Sequence, residues 1–289
     1  MRSLRSGLVL GVVSLLVSVC VAACSGTTLP AESDAGGPVP TTTVIATTTV
    51  PVPDGGPVPD AAPDSTSPQT GPFGDILGTL SGSCGQIRAE LAKPTPSVFA
   101  NTLTFMAGET FDKAFLSDGG DRILGTPNAG GSSIESEVMS FEILHYCEGA
   151  TLLKTEKEIT YGPVVDGGPT TITDLLVEID GRKVGVNPIR VYKPSNQPQP
   201  TEADIKTSLE GKLNSIRGSS ARVTPADKWV KQVMHVYTVS QANADTVMRV
   251  LPTIDAVIRA DTVVMVTRSV GGGFLYCGTT RAPVGQECP

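Results

Sequence analysis

The stretch TITDLLVEIDGRKVGVNPIRVY, residues 171–192, decides the fold of this 289-residue chain. Its two apolar runs are rich in β-branched residues and flank Asp180-Gly181, a pair that favours a two-residue hairpin turn. We therefore predict two antiparallel strands, the first over residues 170–179 and the second over residues 182–192. Because Pro188 lacks a backbone N–H donor, it predicts a bulge or a sheet edge in the second strand.

On both sides of this hairpin the pattern alternates between helices and strands. Ile134, Val138 and Phe141 recur at helical spacing behind Ser132-Ser133-Ile134-Glu135, which has the form of a capping box. The other patterns predict strands at 101–106, 151–161, 229–239, 262–267 and 274–277, and helices at 74–91, 201–217 and 242–256. Helices that alternate with strands in this way predict an α/β domain.

The order helix, three-strand meander, helix, strand, helix, strand over about 133–268 resembles the core of the PD-(D/E)xK, or restriction-endonuclease-like, superfamily, preceded by an N-terminal extension. In that superfamily, acids on the first helix and on the meander hold Mg²⁺, which activates water, while a lysine helps to position the nucleophile. The resemblance implies Glu142 as the acid of the helix and Asp174 as the acid of the middle meander strand.

The chain departs from the superfamily pattern at the remaining two positions. Asn187 and Ile189 stand where the resemblance places the second acid and the lysine. A neutral amide is a poor ligand for Mg²⁺, and an isoleucine cannot oppose developing negative charge. We therefore expect a non-catalytic domain without a cofactor, used for binding or envelope structure.

Two alternatives stay open at this point. The first is a secreted metal-dependent nuclease that binds Mg²⁺ at a rearranged site, for which Glu142, Asp174 and Arg190 are the catalytic candidates. The second is an accessory protein of the cell envelope with an unrelated α/β fold. Convergence of Glu142 and Asp174 on one cleft would favour the nuclease-like scaffold.

The N-terminus has the anatomy of a secretory signal. Arg2 and Arg5 precede an uncharged apolar run at 8–19, which is shorter than the roughly 20 residues of a membrane-spanning helix. The tetrad Val21-Ala22-Ala23-Cys24 resembles the lipobox of bacterial lipoproteins. The resemblance implies cleavage after residue 23, acylation of Cys24, and an extracytoplasmic protein anchored in the membrane of the bacterial cell envelope.

The segment that follows Cys24 differs in composition from the rest of the chain. Residues 25–72 contain no Lys, Arg or aromatic residue and are rich in Thr, Pro, Gly and Ala. Such a segment buries too little apolar surface to offset the entropy of ordering it. We predict a signal peptide at 1–23, a lipidated and disordered tether at 24–72, and a single globular domain at 73–289.

Charge argues against a nucleic-acid partner. The whole chain has 22 basic and 29 acidic residues, and the part from Phe73 onward has 20 basic and 24 acidic residues. A mildly acidic domain lacks the basic footprint of a nucleic-acid binder. The sequence therefore predicts no nucleic-acid partner. The lipid implied on Cys24 makes the membrane a predicted partner, and no protein partner is identified.

Six cysteines limit the covalent structure. Cys20 leaves with the signal and Cys24 carries the lipid, so Cys84, Cys147, Cys277 and Cys288 remain in an oxidising compartment. Three pairings are possible, and we favour Cys277–Cys288 together with Cys84–Cys147. No metal site is predicted, because the spacing of His145 and Cys147 fits no zinc pattern.

Overall fold

The computed structural model describes residues 69–71, 74–106, 111–126, 134–164, 168, 170–194 and 196–277. Cys24 and the rest of the predicted signal lie outside the described residues, as do Ser132, Ser133 and Cys288. Within the described ranges, no helix combines the length and the apolar character needed to cross a membrane.

Nine strands and six α-helices occur in the described residues. The strands are β1 Gln69–Gly71, β2 Gly74–Ile76, β3 Thr79–Gly82, β4 Ser97–Thr104, β5 Thr151–Thr155, β6 Leu175–Ile179, β7 Arg182–Val191, β8 Lys231–Thr238 and β9 Val263–Val270. The helices are α1 Asp118–Gly125, α2 Ile134–Glu148, α3 Glu202–Arg222, α4 Gln241–Val250, α5 Ala256–Arg259 and α6 Phe274–Cys277.

A seven-stranded mixed sheet has the spatial order β3-β4-β9-β8-β7-β6-β5. The four central strands β4, β9, β8 and β7 are parallel, whereas β3, β6 and β5 each join by antiparallel pairing. The chain from α2 to β9 runs helix, three strands, helix, strand, helix, strand, apart from the short α5. The predicted α/β class and this element order are therefore confirmed.

The hairpin from which the fold was predicted is present. Asp180 and Gly181 both have positive φ angles, 53° and 70°, and Ile179 pairs with Arg182 directly beside the turn. Two positive φ angles in a two-residue loop match the twist of the flanking strands. Pro188 lies beyond the last residue of β7 that pairs with β6, so at this residue β7 pairs with β8 alone and the strand is locally an edge, as predicted.

The two faces of the sheet pack against different helices because neighbouring side chains of a strand point to opposite faces. Val233 and Tyr237 of β8 belong to a core that includes α2. Met234 and Val236 of the same strand belong to a core that includes α3 and α4. The sheet is therefore the middle layer between α2 and the α3–α4 pair.

Three segments differ from the sequence-based predictions. The predicted helix at 74–91 is replaced by β2, β3 and a short 3-10 turn, because Gly74, Gly78 and Gly82 all adopt positive φ. The strand predicted at 151–161 ends at Thr155, whose backbone N–H donates to Glu158 Oε2 and starts a turn. The segment predicted as an edge strand at 274–277 is the helix α6.

The N-terminal boundary also moves. Strand β1 lies inside the predicted tether and pairs with β2, so folded structure begins by Gln69 rather than Phe73.

Cys84 is bonded to Cys147 at the end of α2, as favoured from the sequence. The backbone N–H of Ile87 donates to Glu148 Oε1 at 3.1 Å, so a hydrogen bond holds the same segment beside the disulfide. The favoured partner of Cys277 lies outside the described residues.

Candidate functional site

Asp174 directly precedes β6 on the sheet face covered by α3. Its Oδ2 atom accepts a hydrogen bond from Lys212 Nζ of α3 at 2.9 Å, which makes a half-buried ion pair. Burial raises the pKa of Asp174 above its ordinary value, and the Lys212 ammonium opposes that rise. The carboxylate that the resemblance assigned to metal binding is thus already neutralised by a cation of the same domain.

Asn187 is 1% exposed and lies below the same helix. Its Nδ2 donates to Gln232 Oε1, and Gln232 Nε2 donates in turn to Thr173 Oγ1 and to Ser219 Oγ, each at 3.2 Å. These bonds join β7, β8 and α3 through one buried polar network. The position expected to hold a second acid is therefore part of a packed helix–sheet contact rather than the wall of an open cleft.

Glu142 lies in α2 and is 1% exposed. Its Oε1 accepts hydrogen bonds from Ser117 N at 3.1 Å and from Ser117 Oγ at 2.8 Å, where Ser117 is the N-cap of α1. A Cβ atom on Gly120 would come within 1.9 Å of this oxygen, so a larger residue there would displace the Glu142 carboxylate. Burial raises the pKa of Glu142. This carboxyl group holds the start of α1 against α2.

Glu142 and Asp174 are not brought together. The first belongs to α2 and the second contacts α3, and these helices cover opposite faces of the sheet. The convergence that would favour a nuclease-like scaffold over an unrelated α/β fold is therefore not found. Across the described ranges, no group of three or more His, Cys, Asp or Glu side chains is placed to hold a metal ion.

Arg190, the third catalytic candidate, lies near the end of β7 and faces α6. Its guanidinium donates to the backbone carbonyls of Leu275 at 3.4 Å and of Tyr276 at 3.1 Å. A cation at the end of a helix stabilises the free carbonyl groups there. Arg190 thus holds α6 on the sheet, and burial lowers its pKa.

His235 is fully buried in the middle of β8. Its ring nitrogens lie 2.9 Å from Ser140 Oγ and 2.7 Å from Thr267 Oγ1. Because Ser140 Oγ donates to Ser136 O, it can accept from His235 Nδ1–H, which leaves Nε2 to accept from the Thr267 hydroxyl. Both nitrogens of a neutral imidazole thus have a hydroxyl partner.

This arrangement predicts a pH-dependent stability. Burial lowers the pKa of His235 from 6.5 to about 3, so the unfolded chain binds a proton that the folded domain excludes. The stabilisation is complete above pH 6.5 and is lost as pH falls, by about 1.4 kcal/mol per pH unit. Urea unfolding between about pH 7 and about pH 5 should show this slope in the wild type and not in His235→Gln.

His145 is the matched control because the chain contains two histidines. It is half-buried, and its Nδ1 lies 2.8 Å from Ala150 O. We expect His145→Gln to keep the wild-type slope. An unchanged slope in His235→Gln would contradict the assignment of the pH dependence to the buried imidazole.

A cavity of about 500 Å³ beside α1 was not anticipated from the sequence. Its lining includes Asp118, Arg122, Phe141, His145 and Leu152. The Phe141 and His145 rings stack with their centroids 5.7 Å apart, so one wall is aromatic. The remaining lining is largely polar, with Asp118 and Arg122 on it, and the cavity is of a size that can hold a small molecule. Residues distant in sequence form it, so no local motif pointed to it.

Comparison with known proteins found a relative that matches part of this chain. The AAC-rich mRNA clone AAC4 protein of Dictyostelium discoideum is 38% identical over 171 residues, which are 56% of this chain and 24% of that protein. The chain thus spans about a quarter of the length of this relative. No family model matches the chain, and no solved structure matches it.

Proposed function

We propose that this chain is a lipid-anchored, extracytoplasmic protein whose α/β domain is non-catalytic and is used for binding or envelope structure. The observation that carries the proposal is the Asp174–Lys212 ion pair beside the buried Asn187–Gln232 amide pair. A metal-dependent nuclease needs open coordination positions for Mg²⁺, water and phosphate. Here Asp174 binds Lys212 of α3, and Asn187 binds Gln232 beneath the same helix.

The other two catalytic candidates support the same reading. Glu142 binds Ser117, the N-cap of α1, and Arg190 binds backbone carbonyls of α6. Each group has a structural role that catalysis would have to disrupt. The cavity beside α1, at about 500 Å³, offers a place for a bound small molecule instead.

Export is supported by residues 1–24 and by the Cys84–Cys147 disulfide. Disulfides persist in oxidising compartments outside the cytoplasm. The lipobox-like tetrad ending at Cys24 supplies the attachment point, and several acyl chains are needed for stable anchoring. These features support the proposal that the protein lies in the bacterial cell envelope.

An Mg²⁺-dependent plasmid-nicking assay tests the proposed loss of catalysis. We expect no nicking by the purified domain above a metal-free control, and no difference between the wild type and Asp174→Ala. Lys212→Ala frees Asp174 from its cation and serves as a second variant. Specific nicking that disappears in Asp174→Ala would contradict the proposal and favour the nuclease alternative.

Metabolic labelling with palmitate tests the anchor. We expect Cys24→Ser to abolish both the label and the recovery of the protein in the membrane fraction, because the acyl chains have no other attachment point in this motif. Cys20→Ser, which changes a cysteine inside the predicted signal, is the matched control and should keep the label. An unlabelled Cys24→Ser protein that stays in the membrane fraction would mean that the apolar stretch itself is the anchor.

A further inference from the structure

One face of β4 is left uncovered beside α4. Val98 of β4 pairs with Val264 of β9, and Ala100 pairs with Val266 in the same way. Both β9 residues belong to the core that includes α3 and α4. Paired residues of neighbouring strands lie on the same face of a sheet, yet Val98 is 39% exposed and Ala100 is exposed as well. A groove therefore runs along β4 where the packing of α4 ends.

This groove contains a cavity of about 210 Å³, which we call the β4–α4 cavity. One face of α4 forms its helical wall, through residues at the spacing i, i+3, i+4 and i+7, namely Gln241, Ala244, Asp245 and Met248. Val266 and Arg268 of β9 line it from the sheet. Sites for drug-sized ligands measure roughly 300–1,000 Å³, so the occupant of this cavity is a smaller molecule.

The lining of the cavity carries one cation and one carboxylate that are not paired with each other. Arg268 Nη1 donates to Gln241 Oε1 at 3.2 Å, and Gln241 Nε2 donates to Asp245 Oδ1 at 2.8 Å. Within the described ranges, neither Arg268 nor Asp245 belongs to an ion pair. Because a single amide group joins them, the guanidinium and the carboxylate lie within about 8 Å of each other. The lining is thus neutral overall, with its two charges held apart.

The Gln241 side chain shows what such a pair of charges can bind. Its carbonyl oxygen faces the cation and its amide nitrogen faces the carboxylate. The carboxylate and the ammonium group of a free α-amino acid have the same arrangement, with a full charge at each end. Hydrogen bonds between charged groups are roughly twice as strong as those between neutral groups. Gln241 is exposed, so its side chain can move into solvent when a ligand enters.

Arg268 also has a donor that the described part of the protein leaves unused. Its Nε atom is buried and has no hydrogen-bond acceptor there. A buried donor without an acceptor costs free energy, which a ligand oxygen would recover. A carboxylate can bind two nitrogens of a guanidinium at once, whereas an amide has one oxygen. The cationic end of the cavity therefore favours a carboxylate over the amide that occupies it.

The rest of the cavity is suited to an aliphatic side chain. Ala244 and Met248 of α4 lie along the same space as Ala100 and Val266 of the sheet. Met248 is 39% exposed, and a methionine side chain adapts readily to the shape of a ligand. An aliphatic group placed here would remove part of this apolar surface from water, which is favourable.

We propose that the β4–α4 cavity binds a free α-amino acid with an aliphatic side chain. Arg268 binds its carboxylate, Asp245 binds its ammonium group, and its side chain lies along Ala100 and Met248. The inference rests on the proposed binding role of the domain and deepens it by naming the class of ligand. The lipid anchor and the absence of catalysis are tested separately, by palmitate labelling and by plasmid nicking, so each can fail without the other.

Equilibrium dialysis of radiolabelled L-leucine against the full-length chain, purified in detergent, tests the ligand class. L-leucinamide lacks the carboxylate, N-acetyl-L-leucine lacks the ammonium group, and the tripeptide Leu-Gly-Gly holds the two charges far apart. We expect saturable leucine binding and competition at least about tenfold weaker from each of the three analogues, because each loses a charge-assisted contact. No saturable binding up to about 10 mM leucine, or equal competition by any analogue, would overturn the proposal.

Substitutions in the cavity test the two charged contacts. Arg268→Gln and Asp245→Asn should each weaken leucine binding at least about tenfold. Arg217→Gln is the matched control, because exposed Arg217 also donates to a side-chain amide oxygen, Asn214 Oδ1 at 3.2 Å. Asp121→Asn removes an exposed carboxylate from α1 and serves as the second control. We expect both controls to stay within about threefold of the wild type, and equal losses in variants and controls would overturn the proposal.

Gln241→Ala tests whether the ligand takes the place of the amide. The substitution removes a neutral group that competes for both charges, so we expect leucine to bind at least as tightly as it does to the wild type. A tenfold loss of leucine binding in Gln241→Ala, on the order of 1.4 kcal/mol, would contradict the proposed contacts with Arg268 and Asp245.

Discussion

Replacement of Lys231 by Met should lower the free energy of unfolding by about 3–5 kcal/mol, although Met fills nearly the same volume. Lys231 is 2% exposed, and its Nζ donates to the carbonyls of Glu90, Lys93 and Thr95 at 2.8, 2.6 and 3.0 Å. The ammonium therefore joins β8 to the segment before β4. Met retains the apolar stem and removes all three donors, so the cost comes from carbonyl groups left without a partner.

Urea unfolding of both proteins measures this difference. Lys228→Met is the matched control, because Lys228 is exposed and donates to a single carbonyl, that of Ser220. We expect it to cost less than about 1 kcal/mol. A similar small loss in Lys231→Met would mean that water readily replaces the ammonium and that the segment from Glu90 to Thr95 is not held by it.

Loss of the Cys84–Cys147 disulfide should lower the free energy of unfolding by about 4 kcal/mol. The two cysteines are 63 residues apart, and a cross-link that closes so long a loop removes much of the entropy of the unfolded chain. Cys84 is exposed, so Cys84→Ala breaks the bond with little loss of packing. Thermal unfolding of the oxidised wild type and of this variant measures the effect.

Reduction of both proteins separates this disulfide from the predicted second one. If Cys84–Cys147 carries the effect, reductant should lower the wild-type midpoint to that of Cys84→Ala. A further fall when Cys84→Ala itself is reduced would indicate a contribution from Cys277–Cys288. An oxidised Cys84→Ala that unfolds with the wild type would contradict the expected entropic stabilisation.

The sequence was informative wherever a feature depends on neighbouring residues. Asp180-Gly181 specifies its turn because both residues tolerate positive φ, and the β-branched runs beside it form β6 and β7. The α2 and α3 helices begin within one residue of the predicted positions, since apolar spacing and caps are local signals. Element order, and with it the α/β class, followed from these local signals.

Local signals failed where glycine or tertiary packing decided the backbone. The apolar pattern at 74–91 predicted a helix, but its glycines adopt conformations that end helices. The segment Phe274–Cys277 has strand-like residues, yet it is helical where Arg190 binds its carbonyls and Phe105 packs edge-on against Phe274 at 5.0 Å. Neither partner is near it in sequence.

The candidate site shows the same division most clearly. Sequence alone identified Glu142, Asp174 and Arg190 as polar groups on elements of the sheet core. Only the tertiary structure decided that they bind α1, α3 and α6 respectively. The physical reason is that the position of a residue in its strand decides which face of the sheet its side chain occupies. The partner of that side chain depends on which helix packs on that face. Residue type specifies what a group can bind, and packing between distant segments specifies what it does bind.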